Sequence, residues 1–275
     1  MTGNKIKEIL TNHTFVIGFI LFMSVVICAL FANYIALYPY DEMHLMDKLQ
    51  KPSSIYFLGT DMYGRCVFSR IIYGARIALR AGLMITLIQS AIGVILGLLS
   101  GYYGGVTRKI IMFITDIFWS LPMVILALAI VTVLGPGLTN IIIAIALVGW
   151  AEYVRIIDAK VQIIKTLPYV EAGRVLGETD FNIIVRYILP NLLNQIIILA
   201  SLKLTEAVIA VSALGFLGLG VQPPIPDWGI MLSEGVNYLK NAPWIAIAPG
   251  FFLIYTVLGF NILGEGLKEI LDPKY

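Results

Sequence analysis

Long stretches without charged side chains decide most of what this chain can fold into. Residues 15–37 contain no acidic or basic residue, and five further stretches are also strongly apolar. A helix needs about 20 apolar residues to cross the hydrocarbon core of a bilayer. Hydrophobic residues make up 59% of the 275 residues and charged ones 13%, whereas soluble domains average about 45–50% and about 25%. The sequence therefore predicts an all-α, polytopic integral membrane protein with about six transmembrane helices.

The predicted spans are residues 15–37, 81–103, 110–134, 138–151, 188–217 and 244–264. Asp116 and Pro122 are expected to interrupt the third span, and the short fourth span is expected to continue as helix through residues 152–165. The sequence Gly135-Pro136-Gly137 predicts a tight turn between these two spans. The first apolar run is too long for the core of a cleaved signal peptide and lacks a small-x-small cleavage pattern, so we expect a retained helix.

Three glycines recur at four-residue spacing in the second span, at Gly93, Gly97 and Gly101. This spacing places small residues on one helix face, where two backbones can approach closely. A glycine face can pack within one chain or form a dimer. We favour packing against another helix of the same chain.

The distribution of Lys and Arg predicts the orientation in the membrane. With the N-terminus inside, eleven basic residues lie on the inner face: Lys5, Lys7, Arg108, Lys109, Arg155, Lys160, Lys165, Arg174, Arg186, Lys268 and Lys274. Seven lie on the outer face: Lys48, Lys51, Arg65, Arg70, Arg76, Arg80 and Lys240. This excess predicts that both termini and residues 152–187 are cytoplasmic.

Several functional classes are disfavoured by the sequence. A net charge of +2 is too small to indicate nucleic-acid binding. The cysteines, Cys28 and Cys66, and the histidines, His13 and His44, are too few and too scattered to predict a disulfide framework or a metal site. No G-x-x-x-x-G-K-[ST] phosphate loop and no nucleophile–base pair is apparent, so we expect a chain without catalytic activity or a cofactor of its own.

Residues 166–191 form a polar insert between two apolar spans. Pro168 suits the first turn of a helix, and Gly177 suits its C-terminal end. Thr179 or Asp180 is expected to cap a second short helix, which Pro190 bends into the next span. Such a displayed helix fits either docking into a groove of a partner or a solvated hairpin at the membrane interface.

Ionisable residues inside the predicted spans are Asp116, Lys203 and Glu206. Each costs about 2.5–3.5 kcal/mol near the centre of a membrane helix. Lys203 and Glu206 are three residues apart and are expected to pair. The pair is either structural or part of a translocation pathway. Residues 61–80 are predicted to form an amphipathic helix at the outer interface with snorkelling arginines, or a docking and gating surface.

Three motifs resemble the permeases of ATP-binding-cassette (ABC) importers. Glu171-Ala172-Gly173, Gly177 and the Ile188-Leu189-Pro190 triplet resemble their EAA loop. Two positions depart from the family pattern, because Gly173 replaces an alanine and Tyr187 replaces an isoleucine.

Residues 58–70 resemble the LGTD-x-x-GRD-x-x-SR motif of the second, C-type permease of dipeptide, oligopeptide and nickel importers. The matching positions are Gly59, Asp61, Gly64, Arg65, Ser69 and Arg70. Cys66 stands where the family has Asp, so a carboxylate that pairs with Arg65 or Arg70 is expected to be missing. The FLGLGVQPP segment at 216–224, followed by Asp227-Trp228-Gly229, matches the same subfamily.

This resemblance implies a type I permease in the cell membrane, with residues 1–14 cytoplasmic, 15–37 as first span, 38–80 as an extracytoplasmic loop and 81–275 as core domain. Residues 168–180 would form a coupling helix, with Glu171 contacting an ATPase or holding the loop and Gly177 making its turn. The alternative is that Glu171 only caps and solvates a helix. The implied partners are a second permease, two cytoplasmic ATPases that carry ATP and Mg²⁺, and an extracytoplasmic binding protein.

The substrate is left open by the sequence. The resemblance implies nickel, free or chelated, or short peptides, with peptides rather than nickel as the first alternative. Residues 137–147 resemble nickel-type members, although peptide-type members share much of this stretch, and Val211 stands where peptide-type members often carry Glu. The alternative from another class is an ion-driven secondary transporter.

Overall fold

The computed structural model describes residues 11–271 as a bundle of long helices. The principal helices are α1 (His13–Leu30), α2 (Ala32–Ile35), α3 (Val67–Tyr103), α4 (Gly105–Trp119), α5 (Met123–Leu134), α6 (Leu138–Ile164), α7 (Pro168–Val175), α8 (Asp180–Asn182), α9 (Leu189–Phe216), α10 (Trp228–Val236) and α11 (Trp244–Leu271). A π-helix, Ile183–Ile188, joins α8 to α9. Most of the predicted N-terminal segment 1–14 lies outside the described residues.

Five helices of this described part are long and apolar enough to cross a membrane, and the bent pair α4–α5 makes a sixth span when counted as one. The bend is 85°, and Pro122 stands at the N-cap of α5. Because proline cannot donate the backbone hydrogen bond that would continue α4, the predicted interruption occurs where the sequence places it. The all-α polytopic architecture is thereby confirmed.

The second span begins earlier than predicted. The span predicted at 81–103 and most of the amphipathic helix predicted over 61–80 form one continuous helix, α3, of 37 residues from Val67. At 1.5 Å per residue it is about 55 Å long, well beyond the thickness of a hydrocarbon core. Arg76 does not interrupt the helix because its Nε donates to Ala29 O at 2.9 Å, where a cation is favourable beside the C-terminal carbonyls of α1. The first span is shorter than predicted and ends at Leu30.

Close packing of α3 against α6 depends on the three regularly spaced glycines. A Cβ atom added at Gly97 would lie 2.7 Å from Ile157 Cβ, and one at Gly101 would lie 2.6 Å from Val161 Cβ. Both distances are shorter than a van der Waals contact, so a larger residue would push the helices apart. The glycine face therefore packs within the chain, as predicted.

Candidate functional site

The helix α7 is displayed at the end of the bundle where α3 ends. Pro168 occupies its first turn, and the acidic Glu171 lies close to its positive N-terminal end. Gly177 follows with φ +80°, a left-handed conformation that glycine adopts without strain. The amide of Glu178 donates to Gly173 O at 3.1 Å and closes the turn. The predicted start and stop of this helix are thus both present.

One side of α7 is buried and the other is open. Val170 packs into a cluster that includes Ile183 and Ile188. On the open side lie Tyr169, Ala172, Val175 and Leu176, which we call the α7 outer face. Val175 is 88% exposed and Leu176 is 81% exposed. Contiguous apolar side chains outside a membrane span indicate a surface that a partner covers.

The two departures from the EAA pattern lie against each other. Gly173 is buried on the inner side of α7, and a Cβ atom added there would lie 3.4–3.6 Å from three ring atoms of Tyr187. The tyrosine ring occupies space beside the missing methyl group. Residues 173 and 187 are therefore neighbours in the structure, although nothing in the local sequence pairs these positions.

The C-terminal end of α3 holds α7 in place. The Tyr102 hydroxyl donates to Asp180 Oδ1 at 2.6 Å, and the Arg174 guanidinium lies 5.5 Å from the Tyr102 ring centroid. Lys165 Nζ donates to Gly101 O at 2.7 Å. These contacts tether the polar insert at both its start and its turn to a spanning helix.

The segment after α7 runs directly into the next span. Thr179 caps α8 by accepting from the Asn182 amide at 3.3 Å. The π-helix then leads into α9, where Leu189 and Pro190 form the first turn. Helix is continuous from Asp180 through the π-helix to the end of α9, and the turn at Gly177 joins it to α7.

A buried carboxylate near the same end was not predicted from the sequence. Asp158 accepts from Ser100 Oγ at 2.7 Å, from Gln162 Nε2 at 2.7 Å and from Arg108 Nη2 at 3.1 Å. It joins α3, α4 and α6. Its position in the polar continuation of the fourth span was the only signal that the sequence offered.

At the opposite end of α3, two predicted motif arginines are buried rather than snorkelling. Arg65 Nε lies 2.6 Å from Asp61 Oδ2, and Arg70 Nε lies 3.6 Å from the same atom. Glu234 of α10 is the second acceptor, with Oε2 3.4 Å from Arg65 Nη2 and 3.8 Å from Arg70 Nη2. The expectation of a missing carboxylate is wrong, because Asp61 of the same motif pairs with both arginines. Glu234 supplies a second carboxylate from a distant part of the chain.

The other residues of this motif shape the loop that precedes α3. Gly59 and Gly64 have φ values of +73° and +74°. Ser69 Oγ accepts from the Tyr38 amide at 3.0 Å.

Burial raises the pKa of Glu234 above its ordinary value, although Arg70 and Arg65 act in the opposite direction. The buried side chain of Cys66 takes no part in this ion-pair network.

The ionisable residues of the spans separate into two groups. Lys203 Nζ lies 2.6 Å from Glu206 Oε2 and also bonds Glu152 on α6, a residue that sequence reasoning missed. We call these three residues the Lys203 cluster. Asp116 lies elsewhere and pairs with Arg155, whose guanidinium is 4.5 Å from the Trp119 ring centroid.

A cavity of about 480 Å³ opens beside the Lys203 cluster. Its walls come from α3, α6, α9 and the bend between α4 and α5. Its lining residues include Gln89, Phe118, Trp119, Leu121, Met123 and the three residues of the cluster. The broken third span thus creates an open space beside the charged groups.

A bundle of spanning helices with a tethered, displayed helix between two of them is the architecture of an importer permease. A family model described as the binding-protein-dependent transport system inner membrane component matches residues 93–275. The chain belongs to this family, whose members are multi-pass proteins of the inner membrane. Within it, residues 6–52 match the N-terminal transmembrane domain of oligopeptide transport permease C, so the chain is a C-type permease of the dipeptide and oligopeptide branch.

Named relatives cover nearly the whole chain. A dipeptide transport system permease protein from Alkalihalophilus pseudofirmus is 40% identical over 98% of this chain and 88% of its own length. A glutathione transport system permease protein from Pectobacterium atrosepticum is 38% identical over 98% and 89%. A di/tripeptide transport system permease protein from Pseudomonas aeruginosa is 41% identical over 94% and 87%.

A solved structure shares the fold. A chain of an inward-facing MetNI methionine ABC transporter aligns with a TM-score of 0.59 at 18% identity, covering 74% of this chain and 97% of that one. The predicted type I permease fold is therefore confirmed.

Proposed function

We propose that this chain is the C-type permease subunit of an ABC importer of short peptides. The observation that carries the proposal is the near full-length similarity to permeases named for dipeptides, di/tripeptides and glutathione. These relatives support the peptide alternative better than nickel, which was the first expectation from the sequence. Among the described residues, no three His, Cys, Asp or Glu side chains come together as metal ligands do.

Coupling to ATP hydrolysis is proposed to occur at α7. Its exposed apolar outer face suits the groove of a cytoplasmic ATPase, into which a short helix inserts its apolar side. ATP and Mg²⁺ would then bind to the two ATPase partners, and the termini and α7 would lie on the cytoplasmic side. The contacts of Tyr102, Arg174 and Lys165 with the end of α3 would pass motion of the ATPases to the spans.

The opposite end of α3 is proposed to face the extracytoplasmic side. There the buried ion pairs of Arg65 and Arg70 hold the loop before α3 against α10. A loop fixed in this way presents a defined surface to an external binding protein. The second permease would complete the translocation pathway beside this chain.

Uptake of labelled substrate tests the transport proposal. The chain is expressed with its mate permease, ATPases and binding protein in cells that lack other peptide importers, and labelled Ala-Ala is compared with labelled nickel. We expect saturable dipeptide uptake that stops when ATP hydrolysis is abolished. Nickel uptake without dipeptide uptake would refute the proposal that short peptides are the substrate. Transport by this chain alone without ATP would indicate an ion-driven transporter.

Co-purification of the ATPases tests the coupling proposal. Leu176→Asp places a charge on the α7 outer face without disturbing the core, because this side chain is 81% exposed. We expect loss of ATPase binding with normal insertion of the permease. Met46→Asp, at a fully exposed apolar residue of the loop near the other end of α3, is the matched control and should retain the ATPases. Retention in both variants would refute the docking role of α7.

A further inference from the structure

The Lys203 cluster lies at mid-depth in the spanning bundle. Lys203 is about 20 Å from either end of α9, counted at 1.5 Å per residue. Glu152 is near the middle of α6 in the same way, which differs from the expectation that the cytoplasmic segment begins at residue 152. Ionisable side chains at this depth are costly, and in membrane proteins they mark transport pathways unless packing alone requires them.

The charge that the cluster presents to the cavity is negative. One lysine faces two glutamates, so the formal charges of the three side chains sum to one negative charge. The Lys203 side chain is only 7% exposed, whereas the side chains of Glu152 and Glu206 are 38% and 52% exposed. A purely structural ion pair would need one carboxylate for this lysine. Here two are gathered, and both remain open to the cavity.

The remaining cavity wall suits an organic cation with an apolar side chain. Phe118 and Trp119 give this wall an aromatic lining, with the Arg155 guanidinium already over the Trp119 ring, and Leu121 and Met123 add apolar surface. A volume of about 480 Å³ lies within the range of about 300–1,000 Å³ that is typical of small-molecule sites. Glu152, Lys203 and Glu206 are the ionisable residues of this lining, so no free cation of the described wall opposes a bound ammonium group.

We infer that Glu152 and Glu206 receive the α-ammonium group of a peptide as it passes through the permease. Lys203 is a positioning residue that holds the two carboxylates side by side, and the aromatic wall accommodates the first side chain of the peptide. This inference rests on the proposed function as a peptide importer. It adds to that function a preference of the membrane subunit itself for a free amino terminus.

Uptake by the complete transporter in proteoliposomes tests the inference. Glu206→Gln and Glu152→Gln remove one charge each and keep the side-chain size, and Glu265→Gln, on the exposed side of α11, is the matched control. Ala-Ala and N-acetyl-Ala-Ala are supplied on saturated binding protein. We expect the cavity variants to lower Ala-Ala uptake about tenfold and N-acetyl-Ala-Ala uptake less than twofold, with the control unchanged. Equal losses for both peptides, or no loss for either, would overturn the inference.

A second measurement does not depend on the binding protein or on transport. Ser120 lines the cavity, and Ser120→Cys in a Cys28→Ser background allows cationic and anionic methanethiosulfonates to be compared. We expect the cationic reagent to react about tenfold faster, relative to their rates with a free thiol, and this preference to disappear with Glu206→Gln. Equal rates before that change would overturn the inference. A transporter that shows the cation preference but no dipeptide uptake would refute the peptide proposal while retaining a cation-attracting cavity.

Discussion

Replacing Gly173 by alanine restores the residue that the EAA pattern carries at this position, and the structure predicts the sign of the effect. The added methyl group would lie 3.4–3.6 Å from the ring of Tyr187. This is ordinary contact at the close end of its range, so no neighbour has to move by more than a few tenths of an ångström. The substitution is expected to strengthen α7 rather than to disrupt it.

The magnitude follows from the backbone. Glycine in a helix costs about 0.5–1 kcal/mol relative to alanine, because it loses more conformational freedom on folding. That difference corresponds to about a two- to fivefold lower population of the locally opened helix. Gly173→Leu should have the opposite sign, because a long side chain must displace the Tyr187 ring at a cost of about 1–3 kcal/mol.

Hydrogen exchange of residues 168–176 in the purified transporter measures the opening of α7. We expect two- to fivefold slower exchange in Gly173→Ala, faster exchange in Gly173→Leu, and recovery when Tyr187→Ala is added to the leucine variant. The last comparison is a double-mutant cycle that isolates the contact between the two positions. Faster exchange in Gly173→Ala would refute this reasoning and show that the approach to Tyr187 is closer than described.

Three further predictions concern other parts of the chain. Tyr102→Phe removes a hydrogen bond to the Asp180 carboxylate, a contact worth about 1.5–3 kcal/mol. Substrate uptake per ATP hydrolysed should fall several-fold while ATPase binding persists. An unchanged ratio would contradict the role of this contact in linking the polar insert to α3. Gly97→Leu should overlap Ile157 and lower the yield of folded protein on size-exclusion chromatography, whereas normal yield would show that α3 and α6 have room to separate. Burial raises the pKa of Asp227 from 3.8 to about 6, so its neutral form is favoured in the folded state, and the stability that it contributes is full below about pH 4 and lost as the pH rises through 6. The free energy of unfolding changes by on the order of 3 kcal/mol over this pH range. In Asp227→Asn the thermal midpoint should depend less on pH between 4 and 7 than in the unchanged chain, and an equal dependence would assign the titration to another group.

The elements that sequence analysis located well are those with local causes. Pro122 breaks the third span because it lacks an amide proton, and Gly177 ends α7 because it adopts a positive φ. Both effects depend on one residue and its immediate neighbours. The spans themselves follow from hydropathy, which is a property of each stretch on its own.

The burial of Arg65 and Arg70 was not predicted, because part of its cause lies far along the chain. Residues 61–80 were expected to form an amphipathic helix with snorkelling arginines, or a docking and gating surface, whereas both arginines are buried. Asp61, four residues before Arg65, is a local acceptor. Glu234, the second acceptor, lies 169 positions beyond Arg65, and no spacing rule links such distant residues. The tertiary approach of α10 makes the buried ion pairs favourable.

The sequence by itself determined that the chain is a helical membrane protein, where most of its spans lie, and where the displayed helix α7 begins and ends. Hydropathy, proline and glycine act through the bilayer and the backbone, so their consequences can be worked out one stretch at a time. Only the tertiary structure decided which residues from separate helices come into contact. It brings Glu152 to Lys203 and Tyr187 to Gly173, because a contact between distant segments exists only when the packing of whole helices places both partners within a few ångströms.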